Sequence, residues 1–190
     1  MYYRRMNTYI LSGGIYKMAR ESQFTKSMKQ SYAVQNLDLE HTYKKTAALL
    51  KVYRNAYWSL SEDFRDLEEY SYVECEDSDT VVNYLLTFAP EKELRIFSDR
   101  VQNAAESRVI LNMIRKAALR IKDYPNDGTL YYDIIDLTYL GCFKYPQEAV
   151  LEMLDLERST YFRKKKEAIT LIGYILFGRI VPEFGKNPAL

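Results

Sequence analysis

The stretch Tyr145–Gly178, YPQEAVLEMLDLERSTYFRKKKEAITLIGYILFG, decides how the chain is read. Gln147–Leu154 is short and apolar-periodic, with Val150, Leu151 and Leu154 on one face. Asp155, Leu156 and Glu157 follow as a corner that Leu156 can plug. Ser159 or Thr160 then offers a hydroxyl to cap a second helix, whose first turns carry Arg163, Lys164, Lys165 and Lys166. A short helix, a tight turn and a capped basic helix are the parts of a helix-turn-helix.

The phase of the second helix sorts its residues. At about 100° per residue, Tyr161, Lys165, Ala168, Ile169, Ile172 and Leu176 fall on one side. Ser159, Arg163, Lys166 and Thr170 fall on the other, flanked by Thr160 and Glu167. The apolar side is expected to pack on Val150 and Leu154, leaving a basic side outward. Lys165 breaks the pattern and must bury its stem while its ammonium reaches water. An ordinary surface helix with a solvated charge run is the plainer alternative.

Duplex DNA takes a helix in its major groove, with side chains at the helix N-terminal end reaching base edges. Arg158, Ser159, Thr160, Phe162 and Arg163 occupy that end. Arg pairs bidentately with guanine, Ser and Thr bond bases or phosphates, and Phe touches a thymine methyl. Lys164, Lys165 and Lys166 suit phosphate as unselective charges. The candidate DNA-binding set is therefore Arg158, Ser159, Thr160, Phe162, Arg163, Lys164 and Lys166.

The run L-E-R-S-T-Y-F-R-K-K-K-E-A-I resembles the L-S-x-S-T-x-x-R-x-x-K-x-A-I pattern of sigma-factor region 4. It equally resembles the related phage transcriptional activators of the ArpU/RinA-like group. The similarity covers about Tyr131 to Gly178. Leu151 stands where that family has a small Ala, and Asp155 where it has a turn Gly; Asp visits the left-handed region at modest cost. The resemblance implies a sequence-specific, double-stranded DNA-binding transcription regulator of phage or prophage origin, with the preceding helices as an arm for either dimerisation or RNA polymerase contact.

Composition bounds the rest. The chain has 190 residues, 47% hydrophobic and 28% charged, which is the balance of a globular protein. A net charge of +1 means that any DNA contact must come from local clustering. One histidine, His41, and two cysteines, Cys75 and Cys142, are too few for a disulfide framework or an ordinary zinc site. The expected location is a reducing cytoplasm. No apolar run is read as approaching the ~20 residues of a membrane span, so no membrane partner is expected. Ser12-Gly13-Gly14 interrupts the apolar start too early for a signal peptide, and Met6 and Met18 are alternative starts.

Residues 1–34 show no clean period and are read as a poorly defined N-terminal extension, with a short helix conceivable over Ile15–Met28. From Leu39 to Tyr70, Leu39, Tyr43, Thr46, Leu50, Tyr53, Tyr57, Leu60, Phe64 and Leu67 alternate spacings of four and three. That is a heptad seam, with Asn36 or Asp38 as its cap. Val81–Phe88 reads either as a helix capped by Ser78 or Asp79, or as a strand, because Val82, Tyr84, Leu86 and Phe88 alternate. Pro90 opens a helix to Lys122 with a stripe of Leu94, Phe97, Val101, Ala104, Leu111, Ile114, Ala118 and Ile121, interrupted by Arg108. Tyr124-Pro-Asn-Asp-Gly128 stops it, and Thr129–Leu140 is a short apolar helix that Gly141 ends. Pro182, Gly185 and Pro188 mark a non-helical tail.

The predicted fold is all-α: a long antiparallel helical hairpin over 35–123, with arms at about 38–70 and 91–122, then a helix-turn-helix domain over 124–181 and a tail over 182–190. The seam over Leu39–Tyr70 outruns the opposing stripe, so its uncovered part is expected to drive a homodimer.

Catalysis finds no support. No G-x-S-x-G, P-loop or Rossmann glycine set occurs, and no carboxylate pair or His-Cys cluster forms a motif. No enzyme activity, cofactor or metal is expected. Cys142 is expected to be a small buried residue. Tyr131, Tyr132 and Tyr139 are either core or stacked near DNA. Two other readings compete with a regulator: a phage DNA-packaging protein of the terminase small-subunit kind, and a protein-only helical interaction module.

Overall fold

The computed structural model describes residues 22–60, 78–87 and 104–186, and these are helical without strands. Helix α1, Gln23–Val34, is capped by Ser22, whose Oγ accepts the Thr25 N–H at 3.2 Å. It closes on Asn36 at φ 54°, with Leu37 N–H bonded to the Tyr32 carbonyl at 3.0 Å and Asn36 N–H to Ala33 at 3.1 Å. That is a Schellman end. Asn36 therefore closes α1, and the cap of the next helix is Asp38, whose Oδ1 accepts the His41 N–H at 2.6 Å. Part of the stretch read as extension thus forms an element, with Met28 and Tyr32 buried.

Helix α2 spans Leu39–Leu60 and α3 Ser78–Thr87. Helix, not strand, wins at α3 because Val81 and Leu85, four apart, are the buried pair. Helix α4 is Ala104–Arg120, tightened by a 3₁₀ turn at Ile121–Asp123. Helix α5, Gly128–Ile135, widens into a π turn at Asp136–Leu140 and stops at Gly141. Helix α6 is Gln147–Met153 and α7 Arg158–Ile175; a second π turn, Leu176–Ile180, leads to α8, Val181–Lys186. Phe64, Leu67, Cys75, Pro90, Leu94, Phe97 and Val101 lie outside the described residues.

Helix α7 is the hub. It packs on α2, α5, α1 and α4, while α2 also packs on α4 and α8 packs on α3. One core cluster holds Tyr32, Leu50, Leu85, Ile114, Tyr131, Ile172 and Phe184, drawn from nearly every helix. Ile121 and Tyr131 share it, so the boundary expected at 123/124 does not separate two cores among the described residues. The chain turns back tightly there because Gly128 has no Cβ; one would overlap the carbonyl oxygens of Ile121 and Lys122.

The seam of α2 has its partner within the chain. Thr46, Leu50 and Tyr53 are buried, and Tyr43 and Tyr57 half-buried. The seam positions beyond α2, Phe64 and Leu67, lie outside the described residues. Two readings of the C-terminus change as well. Residues 182–186 are helical, because Pro182 sits just after a π turn, where the ladder is already widened and a missing N–H costs little. Val181 and Phe184 are buried there. Because α7, the π turn and α8 run on, Arg158–Lys186 is by length and composition apolar enough to cross a membrane, contrary to the count of short runs. Its apolar side chains are already used: 61% of the apolar window is buried inside the fold.

Candidate nucleic-acid interface

The corner between α6 and α7 is built from Leu154, Asp155 and Leu156. Asp155 takes φ 49°, Leu156 N–H bonds the Leu151 carbonyl at 3.0 Å and Asp155 N–H bonds Glu152 at 3.2 Å. This is a second Schellman end, made with Asp in the left-handed position. Leu156 then tucks into a small apolar cluster with Ile134, Val150 and Tyr161. Leu156 precedes the cap and Tyr161 is the fourth helical residue, so the pair fixes the entry angle as a hydrophobic staple.

The start of α7 differs from the expected one. Glu157 is the N-cap: its backbone is extended, and its carbonyl accepts the Tyr161 N–H at 2.9 Å. Its side chain makes no capping bond. Ser159 and Thr160 are already helical, because seating Leu156 in the cluster lets the chain turn helical at Arg158. The packing of α7 also differs. Only Tyr161 joins Val150 and Leu154, while Ala168, Ile169 and Ile172 enter the main core beside α2 and α1. Helix α6 has seven residues and is too short to cover an 18-residue helix.

Of the seven predicted site residues, Arg158, Ser159, Phe162, Arg163 and Lys166 are exposed and Thr160 is half-buried. At about 100° per residue the five exposed ones occupy an arc of roughly 140° over the first turns of α7. The Arg158 guanidinium lies 5.8 Å from the Phe162 ring centre, and Arg163 Nη1 lies 3.5 Å from Glu167 Oε1.

Lys164 does not join this arc. Its Nζ binds Asp127 Oδ2 and lies 3.5 Å from Glu167 Oε2, leaving its side chain 13% exposed. The expected phosphate contact is thereby replaced by an internal ion pair. Glu167 and Thr170, placed outward or flanking by phase, are buried. The reason is the neighbouring chain: α5 and the turn before it cover this flank of α7, and Tyr32 Oη donates to the Thr170 carbonyl at 2.7 Å.

Lys165 behaves as its phase requires. Its stem is half-buried and its ammonium lies 4.8 Å from the Tyr139 ring centre and 3.4 Å from Tyr161 Oη, to which it donates.

Sequence reasoning missed the network behind Lys164. Tyr131 Oη donates to Glu167 Oε2 at 2.8 Å. Burial, then that hydrogen bond, then the Glu167 charge push the Tyr131 hydroxyl far above its usual range. The spacing of Glu167 from Lys164 and Arg163, three and four residues, is the readable signal; Asp127 lies in a turn and gives none.

Tyr131 is core, whereas Tyr132 and Tyr139 are half-buried. Cys142 is exposed, contrary to expectation, because it falls in the loop after Gly141 and not in the helix. His41 is exposed on the first turn of α2. Among the described residues no group of three or more His, Cys, Asp or Glu could hold a metal ion. No family model, curated protein or solved structure matches the chain.

Proposed function

We propose that the chain binds double-stranded DNA through the N-terminal turns of α7 and acts as a sequence-specific transcription regulator of the sigma-region-4-like kind. In this reading α6, the Asp155 corner and α7 form the helix-turn-helix, and α7 enters the major groove. The supporting observation is the exposed arc of Arg158, Ser159, Phe162, Arg163 and Lys166. It gathers three cations, a hydroxyl and an aromatic ring without a carboxylate inside it, on a chain whose net charge is only +1. Arg158 and Arg163 sit where base edges come within reach, and Lys166 lies nearer a phosphate strand.

As such a regulator the protein would work as a homodimer on a two-fold site and meet RNA polymerase. A selection of bound duplexes from a random pool tests the reading. Enrichment of one sequence supports it, and an unenriched or empty pool contradicts it.

The second reading is a protein-binding module, favoured by Phe143 in the loop before α6 and Met153 at the end of α6, which are 72% and 54% exposed. That module would bind no duplex at any salt concentration.

A further inference from the structure

Helix α2 runs beside the exposed arc of α7, and an open groove of about 560 Å³ separates them. Four lysines line it: Lys44 and Lys51 from α2, and Lys165 and Lys166 from α7. Tyr139 and Phe162 supply ring surface, and no carboxylate belongs to the lining. Lys44 pairs with Glu40 at 3.1 Å across one helical turn, an exposed pair that an incoming anion can displace at little cost. The Lys165 ammonium is held over the rings of Tyr139 and Tyr161, which keeps it at the groove wall.

Four like charges in one groove repel each other; Glu40 offsets Lys44 from outside the lining and the Tyr139 ring faces Lys165, while the lining itself holds no carboxylate. The groove is thus built to receive negative charge. Its position narrows the choice of anion. Phe162 and Lys166 belong both to the groove and to the outward arc, so the groove continues the face proposed to meet DNA. Resting on that reading, we propose that the α2–α7 groove seats the phosphate backbone of one DNA strand flanking the major groove, with Lys44 and Lys51 as phosphate contacts. Neither residue lies in the helix-turn-helix. Phosphate contacts of this kind set register without reading sequence. Because α2 is packed against α7 in one core, the two sets of contacts are held rigidly in phase.

The test uses the full chain and a fluorescein-labelled 25-mer duplex, with affinity measured over a range of salt concentrations. Lys51 is exposed, so Lys51→Ala leaves the fold intact, which circular dichroism checks. The expected result is a salt slope shallower by about 0.9 for Lys51→Ala, the value for one lost phosphate contact, and a wild-type slope for Lys51→Arg. If Lys51→Ala and Lys44→Ala both keep the wild-type slope while wild type binds, the groove proposal is overturned and the α7 reading stands. If wild type binds no duplex, both fall. A Lys51-dependent rise in melting temperature with free nucleotide, without a change in duplex slope, assigns the groove to small anions and also overturns the proposal.

Discussion

Tyr131 Oη and Glu167 Oε2 are joined by a 2.8 Å hydrogen bond, and both side chains are buried. The bond fastens α5 to the middle of α7. Lys164 and Arg163 face the same carboxylate at 3.5 Å each. The basic residues at the front of α7 thus have two different tasks. Lys164 holds the helix in place, while Arg158 and Lys166 remain open to a ligand.

Removing the hydroxyl tests the first task. Tyr131→Phe leaves the ring in the core but takes one donor from a buried carboxylate, and should cost about 1.5–3 kcal/mol. Urea unfolding of the variant measures it. A loss below about 0.5 kcal/mol would mean that Lys164 and Arg163 alone satisfy Glu167.

Gly173 marks where α7 crosses α1 and α2. A Cβ there would stand 2.7 Å from Thr46 Oγ1 and 2.9 Å from Tyr32 Oη. In most helix interiors Gly→Ala gains about 1 kcal/mol. Here the clash should reverse the sign, so that Gly173→Ala lowers stability by about 1–3 kcal/mol. A thermal melt distinguishes the two signs directly.

Alkaline titration reports the buried tyrosines. Burial pushes the Tyr53 hydroxyl up to about 12, and Tyr32 and Tyr131 are raised for the same leading reason. In the unfolded chain these groups ionise near 10. A raised folded value means that the folded state holds the proton more tightly. The stabilisation is therefore complete below pH 10 and is lost as pH climbs from 10 toward 12. Each group contributes a slope of up to about 1.4 kcal/mol per pH unit in that window. Denaturant midpoints between pH 8 and 11.5, read together with tyrosinate absorbance, should fall only above pH 10.

The α2 seam shows how far periodicity reaches. The spacing of Thr46, Leu50 and Tyr53 marks a buried face correctly, but it carries no information on which helix covers it. Much of that cover comes from α7, a hundred residues further on. The corner was legible because Asp155 and Leu156 act locally. Lys164 was not, since helical phase alone places it by angle and its partner Asp127 sits in a turn thirty-seven residues earlier. Thr170 failed for a similar reason: a polar residue reads as outward unless the element that covers it is known. The short helix read over Ile15–Met28 overlaps α1 only from Gln23 to Met28, because α1 buries just Met28 and Tyr32 and so shows little apolar period.

Ser159 and Glu157 separate capping from binding. Ser159 is not the cap of α7, so Ser159→Ala should change stability by less than about 0.5 kcal/mol. Glu157 is exposed at the front of the helix. Glu157→Gln should cost about 0.3–1 kcal/mol of favourable helix-dipole interaction. In return it should tighten duplex binding, since one repelled charge is removed. Melting curves and anisotropy titrations on the same preparations check both.

The exposed arc of α7 is the surface proposed to meet duplex DNA. Fluorescence anisotropy of wild type, Arg163→Ala and Lys166→Ala on a selected duplex and on an unrelated one, at two salt concentrations, tests it most directly. Arg163→Ala should lose about 1–3 kcal/mol on the selected duplex and relax the preference at one base pair. Lys166→Ala should weaken both duplexes alike and flatten the salt slope by about 0.9. Wild type failing to bind either duplex, or both variants binding as wild type does, would rule out duplex DNA as the ligand of this arc.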